Sequence, residues 1–141
     1  MDVLVLVGRI LFAPLFLASG LGHLARTSMM AGYTASRGVP KAIAPALVLG
    51  SGLLIIAGSL MVLFGVWGDL GAVFLTAFLV PTALIMHGPW GVADAQARMM
   101  EQTQLLKDLA LAGASLMILA LFAFAGSDLG LTLTGPLFDL G

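Results

Sequence analysis

Four long apolar runs dominate the chain: Val3 to Leu24, Ala42 to Val66, Leu70 to His87 and Leu105 to Ala125. Each is close to the roughly 20 residues a helix needs to cross bilayer hydrocarbon. A backbone in lipid must satisfy its own hydrogen bonds, so each run is predicted to be a transmembrane helix. The turn GVWGDLG, Gly65 to Gly71, is short and glycine-rich and makes the second and third spans an antiparallel hairpin. The expected fold is all-α, an antiparallel bundle of four transmembrane helices in a single membrane domain over residues 1–141.

The two long connections add detail. In TSMMAGYTASRGVP, Thr27 or Ser28 is a candidate N-cap, Gly38 a stop and Pro40 a residue beyond it. That pattern predicts a short interfacial helix between spans one and two, with Met29, Met30 and Tyr33 placed to dip into the membrane surface. In the second connection Asp94 is placed to cap a helix that runs through AQARMMEQTQ into span four and extends it beyond the bilayer. Small residues recur four apart at Ala18 and Gly22, Ala46 and Gly50, and Ala110 and Ala114, which predicts close backbone approach there. Pro14 and Pro81 lie inside spans one and three and each removes a backbone hydrogen bond.

Composition agrees with the pattern and removes whole classes of function. Of 141 residues 60% are hydrophobic and 9% charged, which excludes an ordinary soluble domain, where about a quarter are charged. Mean hydropathy is +1.11. A net charge of -1 gives no reason to expect a nucleic-acid partner. The absence of cysteine excludes disulfides, thiolate nucleophiles and cysteine-ligated metals on this chain. The chain opens Met1-Asp2 with Arg9 inside the apolar run, not with a basic leader segment, so the first helix is expected to be retained.

Charge also orients the bundle. Arg26, Arg37, Lys41, Arg98 and Lys107 belong to the long connections, while the opposite face holds Asp2, Asp69, Asp128 and Asp139. By the positive-inside rule the long loops are cytoplasmic and both termini external.

Helical spacing places the polar residues inside the spans. Arg9, Ala13, Phe16, Gly20 and His23 share one stripe on span one. Asp69, Val73, Thr76, Val80, Ala83 and His87 share one on span three, and Asp108, Ala112, Ser115, Leu119 and Phe122 one on span four. Antiparallel topology then gives two polar layers. Arg9 and Asp69 lie near the external end, where Arg9 either pairs with Asp69 or snorkels to the interface. His23, His87, Lys107 and Asp108 lie near the cytoplasmic end and are the candidate cofactor-binding residues. Three readings of that layer stand open: hydrated interfacial residues, a quinone carbonyl held by imidazole with Asp108 as proton partner, or a haem ligated by His23 and His87. No metal-type His/Glu spacing, hydrolytic triad or phosphate loop is present. Trp90, beside His87, is expected to anchor at the headgroups.

The motifs RILFAPLFLASGLGHL, GYTASRGVP, FLVPTALIMHGPW and LLKDLALAGASLMIL, in that order, resemble the DoxX family of small bacterial four-helix membrane proteins over about Arg9 to Leu121. The resemblance implies a subunit of a membrane redox system, since relatives called DoxD are subunits of thiosulfate:quinone oxidoreductase. Lipid and other membrane subunits are the implied partners, with quinone as the implied cofactor, and the chain is not expected to be catalytic alone. An accessory structural subunit at the rim of a respiratory or photosynthetic complex is the alternative. Arg9, His87, Trp90 and Lys107 match the family pattern, whereas His23 stands where the family usually has Lys and Asp108 where it commonly has Asn.

Overall fold

The computed structural model describes residues 1–138, so Asp139 lies outside the described residues. The helices are α1 (Asp2–Ala25), α2 (Thr27–Ser36), α3 (Ala44–Phe64), α4 (Gly68–Pro81) and α5 (Ala95–Ala125). A π-helical segment, Thr82–Met86, continues α4. Four of these helices are long and apolar enough to cross a membrane: α1, α3, α4 with its π segment, and α5. The fold is all-α, with α1 packed on α3, α3 on α4, and α4 on α5.

Local chemistry sets the ends. Asp94 caps α5 through a hydrogen bond from Ala97 N to its Oδ2 at 2.7 Å, as its position predicts. Gly65 closes α3 in the left-handed region (φ 63°), where Val66 N reaches back to Met61 O at 3.0 Å. Thr27 departs from expectation. Its hydroxyl points backwards and donates to His23 O at 2.8 Å, so it caps the end of α1 and leaves α2 without a side-chain cap. A short α2 follows α1 almost directly, and the carbonyls of the preceding helix are the nearer partners.

α1 continues through Pro14. Pro81 has a larger effect. Its missing N–H interrupts the ladder at the end of α4, and the chain widens to a π turn in which His87 N bonds Thr82 O at 3.3 Å.

The buried stripes of α1 (Arg9, Ala13, Phe16, Gly20) and α5 (Asp108, Ala112, Ser115, Phe122) fall as spacing predicts. On α4 the expected stripe is wrong in its middle. Ala72, Leu75 and Leu79 are buried, whereas Val80 is exposed. The core face starts with two steps of three from Asp69, a choice periodicity alone does not settle.

The expected small-residue contacts are also corrected. A side chain added at Gly22 or Gly50 would meet nothing within 4 Å. The close approaches are made by other glycines: a Cβ on Gly20 would lie 2.9 Å from Gly52 O, and one on Gly71 2.7 Å from Gly58 O. Between these two pinch points sits a dry cluster that includes Phe16, Ile55, Leu75, Leu79 and Ala112. In lipid, where helices gain nothing by hiding from water, such backbone-to-backbone packing carries the association.

Candidate functional site

The pinch points define the site. α3 is held to α4 at Gly58 and Gly71, near the short hairpin, and to α1 at Gly20 and Gly52. Towards the face bearing the long loops, α3 and α4 part, and α2 lies beside the opening. The space left is a pocket of about 560 Å³ whose walls include Leu54, Phe78 and Met86, with His23 and His87 as polar members. Two of its lining residues, Leu47 and Ile85, are each 49% exposed on the flank of the bundle, so the pocket opens sideways towards lipid.

His23 enters from α1. A Cβ at position 52 would lie 2.8 Å from His23 Cβ, so only glycine lets the imidazole sit this close to α3. Its Nδ1 lies 2.9 Å from Ser51 Oγ and 3.3 Å from Val48 O, and its ring meets Phe78 edge-on at 5.6 Å. Nδ1 is thus occupied by α3.

His87 enters from the end of the π segment and belongs to a network of charges. Its Nδ1 lies 2.9 Å from Glu101 Oε2, and its Nε2 lies 3.9 Å from Asp108 Oδ2. Lys107 Nζ is 3.8 Å from Asp108 Oδ1 and also donates to Gln104. Just past the end of α2, Arg37 donates through Nε to Met86 O at 2.6 Å and through Nη2 to Gly88 O at 3.0 Å. Tyr33 donates to Met86 O at 2.9 Å and lies 3.1 Å from Glu101 Oε1. The interfacial helix therefore caps carbonyls at the end of the π segment. Met30 and Tyr33 also line the pocket, while Met29 remains exposed.

Glu101 stands on the part of α5 that precedes the apolar run. Burial alone would push its carboxyl up, but hydrogen bonds with His87 and Tyr33 and the charge of Arg37 together hold it below the usual carboxylate range. Burial pushes the Tyr33 phenol up, the bond to Glu101 adds to this, and Arg37 opposes it. A carboxyl lowered in the folded state contributes stability that is present above its unfolded value, about 4.3, and lost as pH falls through the lowered one. Wild-type stability should therefore drop more steeply than that of Glu101→Gln between about pH 5 and about pH 3, followed by thermal unfolding in detergent. Parallel curves would show that these contacts of Glu101 do not contribute to the stability of the fold.

The structure thus brings together His87, Lys107 and Asp108 of the expected layer, and adds Glu101, Arg37 and Tyr33. His23 shares the pocket but makes no ion pair with them. Glu101 was open to sequence reasoning, because it precedes Asp108 by seven residues on the same helical stripe. Tyr33 and Arg37 carried no such signal, since they act from a different helix.

At the other end, Arg9 (3% exposed) and Asp69 (0%) are both buried, which corrects snorkelling for Arg9. The alternative expectation, pairing with Asp69, is corrected too. Arg9 Nη2 donates to Leu131 O at 2.5 Å and its guanidinium lies 5.9 Å from the centre of the Phe122 ring. Asp69 Oδ2 accepts from Leu137 N and Phe138 N at 2.7 and 2.6 Å. The C-terminal segment supplies backbone partners to both charges. Trp90 is 63% exposed.

Comparison with known proteins adds a family. The DoxX family model matches residues 4–88, from α1 to just past His87. Inner membrane protein YqjF of Escherichia coli (strain K12) is 30% identical over 117 residues, covering 83% of this chain and 82% of that protein. No solved structure matches the chain significantly.

Proposed function

The chain belongs to the DoxX family and is an integral membrane protein, and from that premise we propose that it is a quinone-binding subunit of an inner-membrane redox system, not catalytic alone. The observation that carries this reading is the pocket between α3 and α4: mainly apolar, open towards lipid, with His23 and His87 among its polar lining residues. A quinone matches that chemistry, because its isoprenoid tail is as apolar as the bilayer and its ring carbonyls accept hydrogen bonds from imidazole N–H. In the tautomer whose Nδ1 accepts from the Ser51 hydroxyl, His23 carries its proton on Nε2 and can donate it to one carbonyl, while the His87 cluster lies at the aqueous end. The partner that supplies electrons is a second membrane subunit, since the chain has no cysteine or other redox-active side-chain pair of its own.

In this reading the loop face, with Arg37, Lys41 and Lys107, is cytoplasmic and the termini are external. Protease accessibility of the C-terminus from outside the membrane reads that orientation.

Protein purified in mild detergent is expected to carry extractable quinone, and Gly50→Trp, which places an indole at the pocket wall, should remove it. His23→Ala should weaken binding of added quinone by about tenfold, the worth of one hydrogen bond to a carbonyl. Wild-type protein that neither extracts nor binds quinone would end the proposal, and a Soret band would reassign the two imidazoles to haem.

A further inference from the structure

One imidazole touches two carboxylates of different character. Glu101 and Asp108 are seven residues apart on one face of α5, about 10 Å along its axis. His87 comes in from the π segment and spans that gap, with Nδ1 2.9 Å from Glu101 Oε2 and Nε2 3.9 Å from Asp108 Oδ2. Glu101 keeps 22% side-chain exposure, His87 24% and Asp108 only 9%. Asp108 is thus the deepest of the three, Glu101 and His87 both retain access to water, and the ring that joins the two carboxylates is also part of the pocket wall.

We propose that Glu101, His87 and Asp108 form a proton relay, which carries protons between water at the loop face and a buried acceptor, Asp108, beside the pocket. Histidine suits the middle place because its two nitrogens face different partners and either can carry the proton. In the inward step the Glu101 carboxyl gives its proton to Nδ1, and the imidazolium gives the proton on Nε2 to Asp108 Oδ2. One proton enters the ring and one leaves it, no electrons move, and the product ring carries N–H at Nδ1, facing the Glu101 carboxylate. The 3.9 Å step is longer than a hydrogen bond, so the second transfer requires the ring to approach Asp108 by about 1 Å.

The other charges near the relay define its setting. Just past the end of α2, Arg37 Nη2 stands 3.7 Å from Glu101 Oε2, and Tyr33 holds the second Glu101 oxygen. On α5, Lys107 Nζ lies 3.8 Å from Asp108 Oδ1. From α1, His23 reaches the same pocket but is bonded to α3. Arg37 and Tyr33 hold the outer carboxylate in place, and the inner one is reached through the ring. The relay needs no ligand in the pocket, so it stands or falls separately from the quinone reading.

The test uses ligand-free protein in lipid nanodiscs, with infrared detection of protonated carboxyl groups after a pH jump. A carboxyl band that disappears in Asp108→Asn identifies the acceptor. Its rise should be slowed about tenfold or more in His87→Gln and in Glu101→Gln, with the final amplitude in Glu101→Gln retained. Free imidazole should restore the rate in His87→Gly, which no merely structural role predicts. An Asp108 band that rises equally fast in all these variants, or a His87→Gly rate that imidazole leaves unchanged, would overturn the relay.

Discussion

Gly71→Leu is expected to destabilise the bundle by about 3 kcal/mol, at the upper end of what overpacking costs. A Cβ at this position would lie 2.7 Å from Gly58 O and 2.7 Å from Met61 Cβ, while one on Gly58 would lie 2.9 Å from Gly71 O. The obstacle is helical backbone, which cannot rotate away as a side chain can, so α3 and α4 must separate. Separation would also dismantle the pocket, because its shape depends on the helices being pinned at one end and parted at the other. Gly113→Leu is the control: nothing lies within 4 Å of that position, and its cost should stay within about 0.5 kcal/mol. Equilibrium unfolding in bicelles compares the two, and equal stabilities would refute the packing account.

Asp69→Ala should release the C-terminal segment and cost about 3 kcal/mol, since two backbone N–H groups each lose a charged acceptor at about 1.5 kcal/mol or more. Its fully buried carboxylate holds Leu137 N and Phe138 N. The same segment is fixed to the hairpin by Leu133 N and Thr134 N on Gly65 O, at 3.1 and 3.0 Å, and by Trp67 N on Thr134 Oγ1 at 2.8 Å. Without the carboxylate two amide groups lose a charged acceptor, and Arg9 keeps its charge in a buried place. Protease added outside spheroplasts should then clip the tail of the variant faster than that of the wild type. Unchanged resistance would show that the strap holds without Asp69, and cleavage confined to inverted vesicles would reverse the orientation of the whole bundle.

These two sites mark the limits of what the sequence made legible. The spans, the Asp94 cap and the α5 stripe from Asp108 to Phe122 were readable because length, capping chemistry and periodicity are local. The choice of contact glycines was not. Gly20 lay on the expected stripe of α1, but Gly52, Gly58 and Gly71 look no different in the sequence from Gly22, Gly50 and Gly113, and only the rotation of each helix decides which faces a neighbour. The fate of Arg9 and Asp69 was hidden for another reason. Their partners are backbone groups of residues 131–138, an irregular segment with no period to read. At the loop face, charge and spacing gathered His87, Lys107 and Asp108, but Tyr33 and Arg37 reach their partners across 49 to 68 residues of chain.

The unequal lengths of the helices have a consequence for the host membrane. With 31 residues α5 is about 46 Å long, against about 32 Å for the 21 residues of α3 and a hydrocarbon thickness of about 30 Å. The excess stands at the loop face and carries Glu101. A thicker bilayer would draw that carboxylate into acyl chains, and a thinner one would leave it hydrated while the shorter helices still match the core. Acyl-chain length thus becomes a control on the protein: hydrophobic mismatch, sensed by one overlong helix, sets how freely the outermost acid meets water.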